Sequence, residues 1–231
     1  MNKYYRNITN SWHLCNIIEK RKELSYNNYR KFKQQKYKPE TKVREKKMGV
    51  ETFADYILSE KDWIKKMEIV YYLQKRTGIF YDNSVVFKTL LTKLFIDRTD
   101  LGIDKNEVLT ASLLWSCKKE LTSNNISKIQ SFAKEGAEFL STLGFSERFC
   151  RICEGVNRYS GITPREKESD ILELTDQFGG MLLSRPERIA FKPDEALVLL
   201  EYRNLKDKDN RYLEEFKNFV TYMEEVKIWV V

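Results

Sequence analysis

Apolar residues recur three and four positions apart along most of the chain, whereas strict alternation of apolar and polar residues is scarce. That spacing places apolar side chains on one face of an amphipathic helix, so the pattern predicts an all-α protein of about nine helices. The predicted helices cover 10–25, 52–58, 63–77, 83–96, 104–115, 123–140, 146–158, 168–183, a segment that begins at 193, and 209–228.

Several predicted boundaries carry recognisable signals. Ser59–Asp62 predicts a capped helix start, and Gly78 predicts the end of the same helix. Asp104 and Pro193 are suited to the first turns of two later helices. Two inward-facing stripes are predicted for the helices that begin near 63 and 83. They consist of Trp63, Met67, Val70 and Leu73, and of Val86, Leu90 and Leu94.

Charge is distributed unevenly along the 231 residues. The formal net charge is +7, yet residues 1–50 hold 14 Lys and Arg against 4 Asp and Glu, which leaves 27 basic and 30 acidic residues in 51–231. We therefore expect a basic, partly helical N-terminal arm over 1–48 and a slightly acidic helical domain over 49–231. With only 9 Gly and 4 Pro, the composition excludes collagen-like, low-complexity and turn-rich all-β proteins.

The sequence favours a cytoplasmic protein. No apolar stretch approaches the roughly 18 residues of a membrane span, and Met1–Asn7 lacks the apolar core of a signal peptide. The four cysteines are then expected to be reduced thiols.

Residues able to bind transition metals are few. His13 is the single histidine, and metallohydrolases normally use several imidazole ligands, so most histidine-based sites are excluded. Cys150 and Cys153 form a Cys-x-x-Cys pair, but the other two cysteines are scattered and supply no second pair at zinc-site spacing. We expect Cys150 and Cys153 to be small apolar fillers of a helix, and we predict no metal and no cofactor.

Motifs in the C-terminal half resemble those of the HD-GYP family, within the HD phosphohydrolase superfamily. Asp170–Phe178 resembles the Ile-Leu-x-x-x-Asp-x-Phe helix of that family, Ser184–Arg188 its Ser-x-Arg-Pro-x-Arg turn, and Lys192–Leu197 its Pro-x-Glu-Ala-Leu helix. The resemblance extends over about 75–220 and implies an HD-domain-like helical bundle. Further matches occur at Ala111–Leu114, Gly136–Leu140 and Arg158–Gly161.

In active members of that family, His and Asp side chains hold two or three metal ions that activate water for attack on a phosphodiester. The resemblance implies that Asp176 and Lys119 are the functional residues retained here. One carboxylate cannot hold two divalent cations, so the resemblance also implies a degenerate domain without catalytic residues, in which packing has replaced the metal. The family's other ligand positions fall on Asn83, Trp115, Ser116, Phe132, Gly155 and Val156.

Asp176 lies in a helix whose other residues are expected to be buried, so its carboxylate needs a polar partner. Asn83, Ser116 and Lys119 are the candidates. The Gly179–Gly180 pair in the same helix predicts a close helix contact or a kink rather than a phosphate cradle.

The leading hypothesis is a non-catalytic signalling or protein-interaction module that binds a protein partner or a second copy of itself. An alternative is a phosphohydrolase with an atypical metal site, for which Asp82, Glu154 and Asp176 would have to converge.

A further alternative is a nucleic-acid-associated protein that acts through residues 20–48, where cations are interspersed with Tyr29, Phe32 and Tyr37. The same composition would suit an acidic protein, an anionic membrane surface, or a solvated helix and linker. The cations predicted to contact a polyanion are Lys31, Lys33, Lys36, Lys38, Arg44, Lys46 and Lys47.

Overall fold

The fold is built from helices in every part of the chain that the structure describes. The computed structural model describes residues 52–119, 126–186, 188–207 and 210–226, with side chains except those of 126–130 and 204–207. Within these ranges there are nine α-helices, one 3-10 turn and no β-strand, which confirms the all-α prediction. The α-helices are α1 (Phe53–Ser59), α2 (Trp63–Thr77), α3 (Asn83–Arg98), α4 (Lys105–Leu114), α5 (Ile126–Thr142), α6 (Glu147–Val156), α7 (Lys167–Met181), α8 (Pro193–Asp207) and α9 (Leu213–Glu225).

Most helix ends agree with the predicted signals. Asp104 caps α4 through the Asn106 and Glu107 amides, and Gly78 ends α2 in the left-handed conformation with φ of 68°. Helix α2 begins at Trp63 as predicted, and its cap is Asp62, the last residue of the predicted signal, whose carboxylate accepts from the Ile64 amide at 2.9 Å. The Ser59 hydroxyl instead donates to a carbonyl in the last turn of α1.

Helix α7 lies at the centre of the described fold, in contact with α3, α4, α6 and α8. Twelve of its fifteen residues are buried, and three of these are the acids Glu168, Asp170 and Glu173. A helix that is buried on nearly all sides is normally apolar throughout. Buried carboxylates in such a helix require counter-charges from its neighbours.

Arginines from the surrounding segments supply those counter-charges. Every one of the three buried carboxylates has a guanidinium nitrogen within 2.8 Å, so α7 is buried without isolated charges. The ion pairs are Arg148–Glu168 at 2.7 Å, Arg158–Glu173 at 2.6 Å, Arg165–Glu173 at 2.8 Å, Arg165–Asp170 at 3.3 Å and Arg211–Asp170 at 2.6 Å.

Aromatic rings join α3, α7 and α9. The ring of Phe216 is 5.0 Å from that of Phe95 and 5.3 Å from that of Phe178, both in edge-to-face arrangements. Phe219 is 5.3 Å from Phe95. Edge-to-face pairs at these distances add to the stabilisation that comes from burying the rings, so this cluster fixes α9 against the bundle.

The inward face of α3 differs from the prediction. The structure buries Val85, Thr89 and Thr92, whereas Val86 and Leu90 are only half-buried; the predicted stripe residue Leu94 is also half-buried. The inward face contains two threonines because hydroxyl groups can be buried in a protein when they form hydrogen bonds with each other. The bonds are Thr89–Ser112 at 2.9 Å and Thr92–Thr175 at 2.8 Å.

Lys66 precedes the stripe residue Met67 in α2 and is fully buried. Its ammonium donates to the Ile57 carbonyl at 2.5 Å and to the Thr110 hydroxyl at 2.7 Å. The Ile57 carbonyl belongs to the last turn of α1, where unpaired carbonyls attract a cation. Burial lowers the pKa of Lys66 to about 8.

Lys66 should make the free energy of unfolding depend on pH. Its folded-state pKa of about 8 lies below the ordinary 10.5, so the unfolded chain binds the proton more firmly between these values. Stability contributed by Lys66 therefore rises with pH across that window, by up to about 3 kcal/mol. We expect the stability difference between the wild type and K66M to grow in favour of the wild type from pH 8 to pH 10.5 in denaturant titrations.

The exposed neighbour Lys65 provides the control. The free energy of unfolding of K65M should differ from that of the wild type by a constant amount over the same pH range. Burial raises the pKa of Cys117 and Cys153, so these thiols make the free energy of unfolding fall as pH rises. Both cysteines are present in every variant, so their effect cancels in the differences. A wild-type to K66M difference that does not change with pH would contradict the prediction.

Candidate functional site

Asp176 on α7 forms an ion pair with Lys88 on α3. The Lys88 ammonium donates to Oδ1 of Asp176 at 2.6 Å, and the two side chains are 10% and 22% exposed. The hydrogen-bond partner is therefore Lys88, rather than Asn83, Ser116 or Lys119 as the sequence suggested. Lys88 and Asp176 are 88 positions apart, so no local sequence pattern pairs them.

The two glycines of α7 allow Lys88 to cross the helix. A Cβ on Gly179 would be 3.0 Å from Cγ of Lys88 and 3.4 Å from the Leu91 side chain. A Cβ on Gly180 would be 3.3 Å from Nη2 of Arg185 and 3.8 Å from the Lys88 ammonium. The predicted close helix contact is confirmed, and it serves the ion pair of Asp176.

Two further cations, Lys119 and Arg185, interact electrostatically with this part of the fold. Lys119 is half-buried, with its ammonium 6.0 Å from the centre of the Phe80 ring. Burial lowers the pKa of Lys119, the charge of Asp176 opposes that shift, and the charges of Lys88 and Arg185 add to it. We call Lys88, Lys119, Asp176 and Arg185 the Asp176 cluster.

Among the side chains that the structure describes, no carboxylate lies within 4.0 Å of the cationic groups of Lys119 or Arg185. The backbone of Arg185 forms an isolated bridge with Arg188. The Arg188 guanidinium donates to the Gly180 carbonyl at 2.7 Å. The cluster is consequently rich in positive charge.

Two of the six residues at the family's ligand positions contact each other. The rings of Trp115 and Phe132 are 5.5 Å apart, and Trp115 is buried. Ser116, next in the chain, is also buried. Asn83 is the exposed first residue of α3.

Gly155 packs elsewhere along α7. Gly155 faces Ser169, since a Cβ at that glycine would be 2.7 Å from the Ser169 hydroxyl. Val156 is buried. Ser169 precedes Asp176 by seven residues of the same helix, or about 10 Å along its axis. The place where Gly155 contacts α7 is therefore distant from Asp176.

The carboxylate site that an atypical phosphohydrolase would need is not formed. Over the described part of the chain, no three His, Cys, Asp or Glu side chains are grouped so as to hold a metal ion. Asp82, one of the three expected to converge with Glu154 and Asp176, caps α3 by accepting from the amides of Ser84 and Val85.

Cys153 is a buried filler of α6, as predicted, and burial raises the pKa of its thiol. Cys150 on the same helix is half-buried, and burial raises its thiol pKa as well. His13, the arm over 1–48 and its predicted polyanion-binding lysines and arginine lie outside the described residues.

Comparisons with known proteins add no identification. No family model, curated protein or solved structure matches this chain. The likeness to HD-GYP domains accordingly depends on the sequence motifs. None of the helices in the described ranges has both the length and the apolar character needed to cross a membrane.

The adjacent glycines Gly179 and Gly180 should respond differently to substitution. In G179A the new methyl group would meet the stem of Lys88 at 3.0 Å and disturb its pair with Asp176. We expect a loss of about 1–3 kcal/mol in the free energy of unfolding.

G180A is the matched control, because its methyl group would press only on the flexible end of Arg185, at 3.3 Å, and would meet the end of Lys88 at ordinary contact distances of 3.7 and 3.8 Å. Alanine also favours the helix. We expect it to be neutral or slightly stabilising. Denaturant unfolding of both variants measures the difference, and equal effects would show that the stem of Lys88 is not held at Gly179.

Proposed function

We propose that the helical domain is a non-catalytic binding module of HD-GYP type, in which a protein cation and packing have replaced the metal centre. It would act in the cytoplasm by binding a protein partner or a second copy of itself. The single observation that carries this proposal is the ion pair between Lys88 and Asp176.

The ion pair opposes metal binding for an energetic reason. A divalent ion bound to Asp176 would have to displace the Lys88 ammonium, which is 2.6 Å from the carboxylate. Lys88 is only 8% exposed, so it would be left as a nearly buried charge without its partner. Separating a buried pair in this way costs several kcal/mol, and the metal would need further ligands to compensate.

The residues around the family's ligand positions support the same conclusion. The aromatic pair of Trp115 and Phe132 offers no atoms that bind a hard divalent cation. Gly155 provides contact space for Ser169 instead of a ligand. These positions contribute to packing, and packing maintains a surface on which a partner can bind.

The direct test is metal content together with phosphodiesterase activity. We expect the full chain, purified and dialysed with added Mn²⁺ or Fe²⁺, to retain far less than one metal per chain and to leave cyclic diguanylate intact. D176N should behave as the wild type in both assays. Stoichiometric iron, manganese or zinc, with hydrolysis that D176N abolishes, would overturn the proposal.

Polyanion binding by the arm is the second candidate, because 14 of the 41 basic residues fall within the first 50 positions. Phosphate contacts release counterions, so affinity for single-stranded nucleic acid should fall steeply with salt. Each contact contributes about 0.7 to the slope of log affinity against log salt.

Removing three cations from the arm should lower that slope by about 2. The variant carries Gln at Lys36, Lys38 and Lys46, and the control carries Gln at Lys61, Lys65 and Lys75 of the helical domain. Fluorescence anisotropy with a labelled oligonucleotide at several salt concentrations gives the slopes. The control should keep the wild-type slope. If the arm variant also has the wild-type slope, the arm does not bind nucleic acid.

A further inference from the structure

Helix α8 leaves two large apolar side chains in solvent, one helical turn apart. Val198 is 64% exposed and Tyr202 is 62% exposed. The opposite side of the helix buries Ala196 and Leu200 and packs against α7 and α9. Apolar side chains that are exposed singly are ordinary on a protein surface. In the described ranges no other two of the exposed large apolar residues share a helix, so this pair marks a candidate contact surface.

Charged side chains of both signs border these two residues. Glu195 precedes Val198 by three positions and lies on the same side of the helix, whereas Arg203 follows Tyr202 at the edge of that side. Glu195 and Arg203 are both exposed. Neither has an ion-pair partner within 4.0 Å among the side chains that the structure describes. We call Glu195, Val198, Tyr202 and Arg203 the α8 face, which has an acid at its N-terminal end and a cation at its C-terminal end.

We propose that two copies of this chain associate through the α8 face, with their α8 helices antiparallel. The inference rests on the proposed function, which includes binding of a second copy, and it specifies the surface and the orientation. A two-fold axis relates the two copies, so every contact between them occurs twice.

Charge complementarity supports the antiparallel orientation. Glu195 and Arg203 are eight residues apart, or about 12 Å along the helix axis, whereas side chains that contact each other on one helix are three or four residues apart. A two-fold axis beside Leu199, midway between them, places Glu195 of each copy level with Arg203 of the other. Val198 and Tyr202 are then buried between two intermolecular ion pairs. Parallel helices would instead bring like charges together.

Other occupants fit the α8 face less well. A polyanion would be repelled by Glu195 and by Asp194, the exposed acid next to it. A strongly basic segment would be repelled by Arg203. A face that has opposite charges at its two ends is complementary to a reversed copy of itself, and such complementarity also excludes partners of a single charge sign.

The small size of the α8 face indicates the kind of association. Stable complexes bury about 1,200 Å² or more of surface in total. The α8 face consists of four side chains in each copy, which is typical of a smaller contact and a weak, reversible dimer. The fraction of dimer should therefore depend on protein concentration.

Sedimentation velocity of the full chain at increasing concentration measures this association, and we expect a reversible equilibrium between monomer and dimer. V198E should weaken dimerisation by about tenfold or more, because it places an unpaired charge in the centre of the contact. E138R is the control. It changes an exposed acid on α5 and should dimerise as the wild type does.

Charge reversal tests whether Glu195 meets Arg203 of the other copy. E195R and R203E should each weaken dimerisation by about tenfold, because each replaces two attractions by two repulsions. The double variant E195R/R203E should dimerise as the wild type does. Glu195 also accepts a hydrogen bond from the Lys192 amide at 3.0 Å, which E195R removes and R203E retains. Weakening in both single variants is therefore independent of that bond.

An equimolar mixture of the E195R and R203E chains gives a second readout of the same pairing. In a mixed dimer each arginine of the E195R chain faces a glutamate of the R203E chain, so both ion pairs are attractive. We expect the mixture to contain more dimer than either variant alone at the same total concentration.

Three results would overturn the proposal. A full chain that stays monomeric at every concentration would leave the α8 face to a different protein. A dimer that V198E and the two charge reversals leave unchanged would place the contact elsewhere in the chain. Failure of both the double variant and the mixture to regain dimerisation would exclude the antiparallel pairing. Metal content and phosphodiesterase activity are measured separately, so a monomeric chain without bound metal would overturn this inference and leave the non-catalytic assignment intact.

Discussion

The described fold depends on α7, a helix that is buried on nearly every side and nevertheless carries four carboxylates. A charge left unpaired in such an environment costs several kcal/mol, a large part of the stability of a domain, so the acids need counter-charges. Arginines 148, 158, 165 and 211 pair with Glu168, Asp170 and Glu173, and Lys88 pairs with Asp176. These partners come from α3, α6, the segment before α7 and the segment before α9, so the same ion pairs that permit burial of α7 also position its neighbours.

The candidate site contains the pair of Lys88 and Asp176, which is the last of these ion pairs along α7. Glu168, Asp170 and Glu173 are paired with arginines, whereas Asp176 is paired with the Lys88 ammonium. Gly179 and Gly180 make room for the Lys88 stem and the Arg185 guanidinium on one side of α7. A metal at Asp176 would add positive charge beside the Lys88 ammonium, which already neutralises this carboxylate.

The helices and several of their ends could be predicted from the sequence, because apolar periodicity and caps such as Asp104 and Gly78 act locally. The face of α3 could not, because Thr89 and Thr92 look polar until the hydroxyls of Ser112 and Thr175 meet them. Lys88 was missed for the same reason: a pair separated by 88 positions leaves no local signal. Resemblance to HD-GYP motifs pointed to Asp176 and Lys119, but it assigned no role to Lys88 or Arg185.

The central claim is that Lys88 and Asp176 stabilise each other in the place of a metal, and a double-mutant cycle tests it most directly. The cycle uses K88M, D176N and the double variant, with the free energy of unfolding measured in denaturant and chelator. For a pair at 2.6 Å that is mostly buried, we predict a coupling energy of about 2 kcal/mol or more. A coupling energy below about 0.5 kcal/mol, the level expected for independent sites, would contradict the account.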